Sequence, residues 1–148
     1  MADKRRFELF ARFLAARFPG ARRVFDIAGG MGKLNEELTA LDREVVTFDS
    51  RHKRLKVRFV ERHFGLDEPC ECDLVVGMHP DGATRIIVEY AARHGVPFAV
   101  VPCCSDNGMS YRPWMRHLVE LACERGMGVE EVELPMAGRN RVIVGVPP

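Results

Sequence analysis

No stretch of this 148-residue chain stays apolar for the roughly 20 residues that a bilayer crossing requires, and its longest apolar runs are strand-sized. The charged N-terminal segment has no apolar centre of the kind a secretory signal carries. Both absences argue against a membrane protein and predict a soluble, cytoplasmic one. Net charge is lacking too. Lys and Arg number 22 against 21 Asp and Glu, a formal balance of +1, so the chain as a whole makes no electrostatic case for nucleic acid. A paired cysteine framework is missing as well: five cysteines fall at Cys70, Cys72, Cys103, Cys104 and Cys123. An odd number, with two in or beside predicted strands, reads as reduced thiols of an intracellular protein. Cys70-x-Cys72 with His63 and His79 offers thiolate and imidazole ligands, but a spacing of one residue is not that of a zinc knuckle and no second pair matches it, so no metal is expected.

What is present is a hydrophobic content of 47%, enough in a chain of this length for one compact domain spanning 1–148, with an N-terminal helical segment over 1–20 ahead of a core over 21–148. In the first segment Phe7, Phe10, Leu14 and Phe18 recur at helical spacing, and Pro19-Gly20 ends the pattern. Strands are predicted at Val24–Ile27, Glu44–Asp49, Val57–Val60, Cys72–His79 and Pro97–Pro102. Helices are predicted at Leu34–Leu41, Ala83–His94 and Tyr111–Arg125, the last with Pro113 near its start. Val129–Leu134 and Arg141–Val146 flank Ala137-Gly138-Arg139-Asn140 and read as a closing hairpin. Alternating strands and helices imply an α/β sandwich on a seven-stranded, mostly parallel sheet, whose hairpin contributes an antiparallel last strand.

The densest chemical signal is Val24-Phe25-Asp26-Ile27-Ala28-Gly29-Gly30-Met31-Gly32-Lys33, an apolar run that ends in an acid and a glycine-rich turn before a helix. Glycines there let the backbone approach a ligand closely. Asp49 ends the second strand, 23 residues after Asp26 and 17 after Gly32, the interval that sets a carboxylate at a strand tip to grip both hydroxyls of a ribose. The G-x-G-x-x-G spacing that seats a dinucleotide pyrophosphate is absent. The turn D-x-A-G-G-M-G instead resembles the D/E-x-G-x-G-x-G turn of class I S-adenosylmethionine-dependent methyltransferases, with Ala28 where the first glycine usually stands.

That resemblance covers nearly the whole chain, including the terminal hairpin. It departs from the family in the short link between the third and fourth strands, which leaves no room for the usual helix, and in lacking a separate substrate-recognition module. It implies S-adenosyl-L-methionine as cofactor, held by Asp26, Ala28, Gly29, Gly30, Gly32, Asp49, Gly77 and Met78. Gly77-Met78-His79-Pro80-Asp81-Gly82 and Val101-Pro102-Cys103-Cys104 are similar to stretches in a branch of that family linked to RNA or tRNA modification. Relatives in that branch carry Thr-Cys where this chain has Pro80-Asp81, and an aromatic residue where it has Ser105.

In an open parallel sheet these tips converge on one pocket. His79, whose ordinary pKa lies near neutrality, is the candidate catalytic base; the alternative is a turn-capping role. Asp81 is either a helix cap or a substrate contact. Cys103 and Cys104 alternate across a strand end, so one of them lines the substrate side; methyl transfer needs no thiolate nucleophile. Arg51, Lys53 and Arg54 belong to a run of five Lys/Arg in eight residues, 51–58, suited either to RNA phosphates or to a solvated face. The leading expectation is thus a methyltransferase acting on RNA, with a small molecule or a protein as the alternative acceptor. The alternative is a non-catalytic subunit that binds RNA or a protein partner, or pairs with itself, using Tyr111 and Trp114 as exposed aromatics.

Overall fold

The computed structural model describes residues 3–51, 56–103 and 108–148. Expectations placed on Lys53, Arg54, Cys104 and Ser105 lie outside the described residues. In chain order the elements are α1 (Arg6–Arg17), β1 (Arg23–Ile27), α2 (Lys33–Thr39), β2 (Glu44–Asp49), β3 (Phe59–Glu61), β4 (Leu74–Met78), α3 (Thr84–His94), β5 (Phe98–Val101), α4 (Tyr111–Glu124), β6 (Gly128–Glu133) and β7 (Arg141–Val146), with a single 3-10 turn at Asp81–Ala83 leading into α3.

The strands form one sheet in the order β3-β2-β1-β4-β5-β7-β6. Neighbours from β3 to β5 are parallel, and β7 runs antiparallel to both β5 and β6. From β1 the chain builds outward through β2 and β3, then crosses back to β4 on the other side of β1. Strand order reverses there, and a crevice opens beyond the C-terminal ends of β1 and β4.

Period-two alternation divides the core between the two faces of the sheet. Phe25, Ile27, Val75, Phe98, Val100 and Ile143 face α3 and α4, where Trp114 and Leu118 are buried. Val24, Leu74, Val76, Ala99, Val142 and Val144 face α1 and α2, against Phe10, Leu14, Leu34 and Leu38. Trp114, expected on the surface, is only 1% exposed. Its position on α4 faces the sheet together with Leu118 and Leu121, so it is core, and only the half-buried Tyr111 remains of the aromatic pair expected at a partner surface.

No helix links β3 to β4 among the described residues. Residues 62–73 instead pack as an irregular strap on the α3 face. Phe64 lies 4.5 Å from the Tyr90 ring and 5.2 Å from Phe48. The Tyr90 hydroxyl donates to the Glu68 carbonyl at 2.8 Å, and His94 Nε2–H donates to the Leu66 carbonyl at 2.9 Å. Two side chains of α3 thus satisfy strap carbonyls that a helix would have satisfied internally.

Boundaries shift where a special backbone conformation intervenes. β4 ends at Met78 because His79 has φ +49°, outside the strand region. Likewise, the 3-10 turn delays α3 to Thr84. β3 begins at Phe59, since pairing with β2 runs from Thr47 opposite Phe59 to Asp49 opposite Glu61. No described helix is long and apolar enough to cross a membrane.

Candidate functional site

The crevice beyond β1 and β4 is a cleft of about 520 Å³, within the ordinary range for a small-molecule site. Ala28 and Asp49 wall one side, His79 and Asp81 the other, and Arg62, His63 and Phe64 from the strap close the third. Ala28, His79 and Asp81 all have positive φ (+55°, +49° and +49°), three of the four non-glycine residues that do so among the described ones. Left-handed backbone costs a non-glycine residue about 1–2 kcal/mol, and such strain collects at ligand sites.

Asp49, 5% exposed, reaches the cleft from the end of β2. Its Oδ2 accepts the Gly30 N–H at 2.9 Å, and its two oxygens also accept the backbone N–H, Nε–H and Nη2–H of Arg51 at 3.0, 3.1 and 3.1 Å. Burial alone would raise this carboxyl. The bonds from Arg51 and Gly30 outweigh burial and hold it below its usual range, so it is ionised at neutral pH.

Asp26 lies beneath the turn rather than in the cleft, fully buried at 1% exposure. Thr47 Oγ1–H donates to its Oδ2 at 2.8 Å, and Asn35 Nδ2 donates to Thr47 Oγ1 at 3.0 Å, a relay that ties α2 to β2 and β1. The other oxygen, Oδ1, has no hydrogen-bond partner among the described residues. Burial pushes the Asp26 carboxyl up to about 7, with the Thr47 bond opposing and the Asp49 charge adding to the rise. Gly29 passes directly over this carboxylate. A Cβ at Gly29 would overlap Asp26 Oδ2 and come within 2.6 Å of Thr47 Cγ2, so only glycine fits there.

Across the cleft, the His79 backbone N–H donates to the Val101 carbonyl at 2.9 Å, and Nε2 lies 3.3 Å from the Arg139 carbonyl oxygen. A carbonyl can only accept, so Nε2 carries the hydrogen and Nδ1 keeps the lone pair. Burial lowers the His79 pKa despite the Arg139 bond, which leaves the ring neutral at pH 7 and able to take a proton. Asp81 makes no side-chain cap to the 3-10 turn or to α3; its backbone carbonyl accepts Thr84 Oγ1–H at 2.9 Å, and its side chain lines the cleft, where Oδ1 accepts the Cys103 thiol at 3.5 Å.

Of the other residues singled out from the sequence, Arg51 lines the cleft, whereas Gly29, Gly30 and Gly32 shape the turn. Gly77 and Met78 are not brought into it. Met78 packs into the core on the α1 face. Gly77 faces α3, where a Cβ would meet Ile87 Cδ1 at 2.7 Å, so close helix packing requires this glycine. Arg62, Phe64 and Ile86 were not foreseen, nor was His63 as a cleft residue. Their one sequence signal is that 62–64 directly follow a parallel strand, at the edge where ligands bind.

Neither a protein-family profile nor a curated protein matches this sequence. Solved structures do. Streptomyces venezuelae DesVI superposes with a TM-score of 0.70 at 15% identity over 97% of this chain and 91% of its own. The glycopeptide N-methyltransferase MtfA superposes at 0.68 with 17% identity, over 95% and 96%. Human N-acetylserotonin methyltransferase, solved in complex with SAM, gives 0.62 at 17% identity, over 96% of this chain and 51% of its own. The fold is that of the class I methyltransferases. Within that fold the β3-β2-β1-β4-β5-β7-β6 sheet sets the cleft at the strand-order reversal, with Asp49 and the glycine-rich turn on its rim.

Proposed function

We propose that this chain is an S-adenosylmethionine-dependent methyltransferase whose acceptor is RNA. The observation that carries the reading is Asp49: an ionised carboxylate at the tip of β2, facing a cleft of about 520 Å³ and bonded to the backbone of the glycine-rich turn. The residues present fit the cofactor. Asp49 would hold the two ribose hydroxyls, while Gly29 seats the turn on Asp26 and the side-chain-free Gly30, with only Arg51 within 4 Å of a Cβ position there, would let the amino-acid end approach the turn. Asp26, buried beneath the turn, would support that turn from below rather than touch the ligand. Phe64 and Ile86 would cover the apolar part of the ligand.

The cofactor would supply a methyl group already activated on a sulfonium. The protein's share is then alignment of the acceptor and removal of its proton. Neutral His79, its Nε2–H fixed on the Arg139 carbonyl, would receive that proton at Nδ1. The support for RNA as acceptor is the basic run beginning at Arg51, on the cleft's rim, together with the resemblance of the 77–82 and 101–104 stretches.

Calorimetric titration with S-adenosylhomocysteine tests the cofactor site. Wild type is expected to bind in the micromolar range, and Asp49→Ala to lose two charge-assisted hydrogen bonds, a weakening of about 100-fold or more. No binding by wild type would overturn the reading in favour of a non-catalytic subunit on the same fold.

A further inference from the structure

A second groove, of about 500 Å³, lies beside the cleft between the start of α4 and the β6–β7 turn, and carries Tyr111, Arg112, Arg116, Arg139 and Arg141 against one acid, Glu131. Several arginines elsewhere are paired with acids: Arg17 with Glu130, Arg23 with Asp73, Arg62 with Glu68 and Arg125 with Glu89. Among the described residues no salt bridge engages the four arginines of the groove. Glu131 in the groove and Glu133 opposite Arg141 across the hairpin offset part of this charge, and the groove keeps a net positive balance for an anionic ligand to meet.

The groove is also held in shape. The Arg139 guanidinium stacks 3.7 Å over the Tyr111 ring, which leaves its in-plane N–H edge to meet an anion. Between Arg139 and Arg141, Asn140 Nδ2 donates to the Leu134 and Met136 carbonyls at 3.1 and 3.3 Å and so fixes the turn. Arg112 and Arg116 project from successive turns of α4 on one face, so the cations form a row rather than a point. The groove joins the cleft through one contact, the Arg139 carbonyl that holds His79 Nε2–H at 3.3 Å. A molecule anchored in the groove would therefore extend past His79 toward the methyl donor's cleft.

We infer that this arginine groove holds phosphate-ester groups of the methyl acceptor, so that Arg112, Arg116, Arg139 and Arg141 select an acceptor that carries phosphate. A row of planar guanidiniums suits repeated single charges along a chain, as in single-stranded RNA, better than an isolated carboxylate. The inference rests on the methyltransferase reading for the word acceptor, but the groove's ligand is measurable without the cofactor.

Binding of oligouridylate, uridine 5'-monophosphate and oligoglutamate is measured on the full chain by fluorescence anisotropy or calorimetry across a salt series, for wild type, Arg112→Gln/Arg116→Gln and Arg125→Gln. Both arginines of the double variant are exposed, so melting temperature and S-adenosylhomocysteine affinity are expected to stay at wild-type values. Oligouridylate affinity is expected to fall about tenfold or more in the double variant, with a salt slope shallower by roughly 1.4 for two lost phosphate contacts. Arg125→Gln, at the far end of the same helix, is expected to match wild type. Oligomer preferred over monophosphate assigns the groove to RNA, and equal binding of the two, with the same dependence on Arg112 and Arg116, assigns it to a mononucleotide. Oligoglutamate binding as well as oligouridylate, no binding of either phosphate ligand, or indifference to the double variant would overturn the inference. Loss of S-adenosylhomocysteine binding with the groove behaving as expected would sink the enzyme reading and leave the groove standing.

Discussion

At the tips of β1 and β2 two carboxylates, Asp26 and Asp49, are 1% and 5% exposed beneath a folded turn, whereas beyond β5 on the same edge of the sheet four guanidiniums stand exposed beside the β6–β7 turn. The acidic end is built by burial. Its carboxylates are positioned by Thr47, Gly30 and Arg51, and the fold bears the desolvation of each. The basic end is built at the surface, where guanidinium groups cost the fold little. Substitutions at the acidic end should therefore move stability and ligand binding together, and those at the basic end binding alone.

Asp26→Asn tests the acidic end most severely. The Asp26 carboxyl sits at about 7 in the fold against 3.8 for the ordinary group. Between those values the folded state binds more protons than the unfolded one, so the stability that Asp26 contributes is present in acid and lost as pH rises through about 7. Asparagine carries no such dependence. The variant's advantage over wild type is expected to grow by about 2–3 kcal/mol between about pH 5 and pH 8, read by urea denaturation at each pH. A constant offset would mean that Asp26 titrates normally and that the burial is relieved by water.

A smaller effect is expected at Arg51, the link between the two chemistries, since it is an exposed arginine spent on a buried acid. Its backbone and side chain occupy the Asp49 oxygens that ribose hydroxyls would need. Arg51→Ala is expected to tighten S-adenosylhomocysteine binding by up to about fivefold, as befits competition from a solvent-screened ion pair. Weaker binding would show that Arg51 contacts the cofactor itself and that the basic end of the site begins at residue 51.

The acidic end was the more legible from sequence. Asp49 follows from spacing along a strand, turn, helix, strand unit, because that interval is fixed by the geometry of one βαβ crossover, and Ala28 follows from the resemblance of the turn. Gly77 and Met78 fall outside the cleft lining because a strand tip taken as one block hides the alternation within it: one residue faces α3 and the next faces α1. Trp114 was misread because helical position, not residue type, decides which face it takes. The basic end was invisible. Arg112 and Arg116 lie on a helix and Arg139 and Arg141 in and after a turn, and only the packing of α4 against β6 and β7 brings them together. The strap residues Arg62 to Phe64 carry no periodic signal at all.

The smallest test concerns Ala28, the departure that the sequence itself displays. With φ at +55° it bears a strain of about 1–2 kcal/mol that glycine would not. Glycine in turn loses about 0.5–1 kcal/mol through its freer unfolded state. The Ala28 methyl also packs partly against the core and returns a fraction of the gain. Ala28→Gly is thus expected to raise stability by roughly 0.5 kcal/mol, a shift in denaturation midpoint just above error, with no change in oligouridylate binding at the basic end. Lower stability would show that the methyl's contacts exceed the strain, so that alanine is the better fit at this turn. Altered oligouridylate binding would instead mean that the two ends of the edge are coupled through His79 rather than independent.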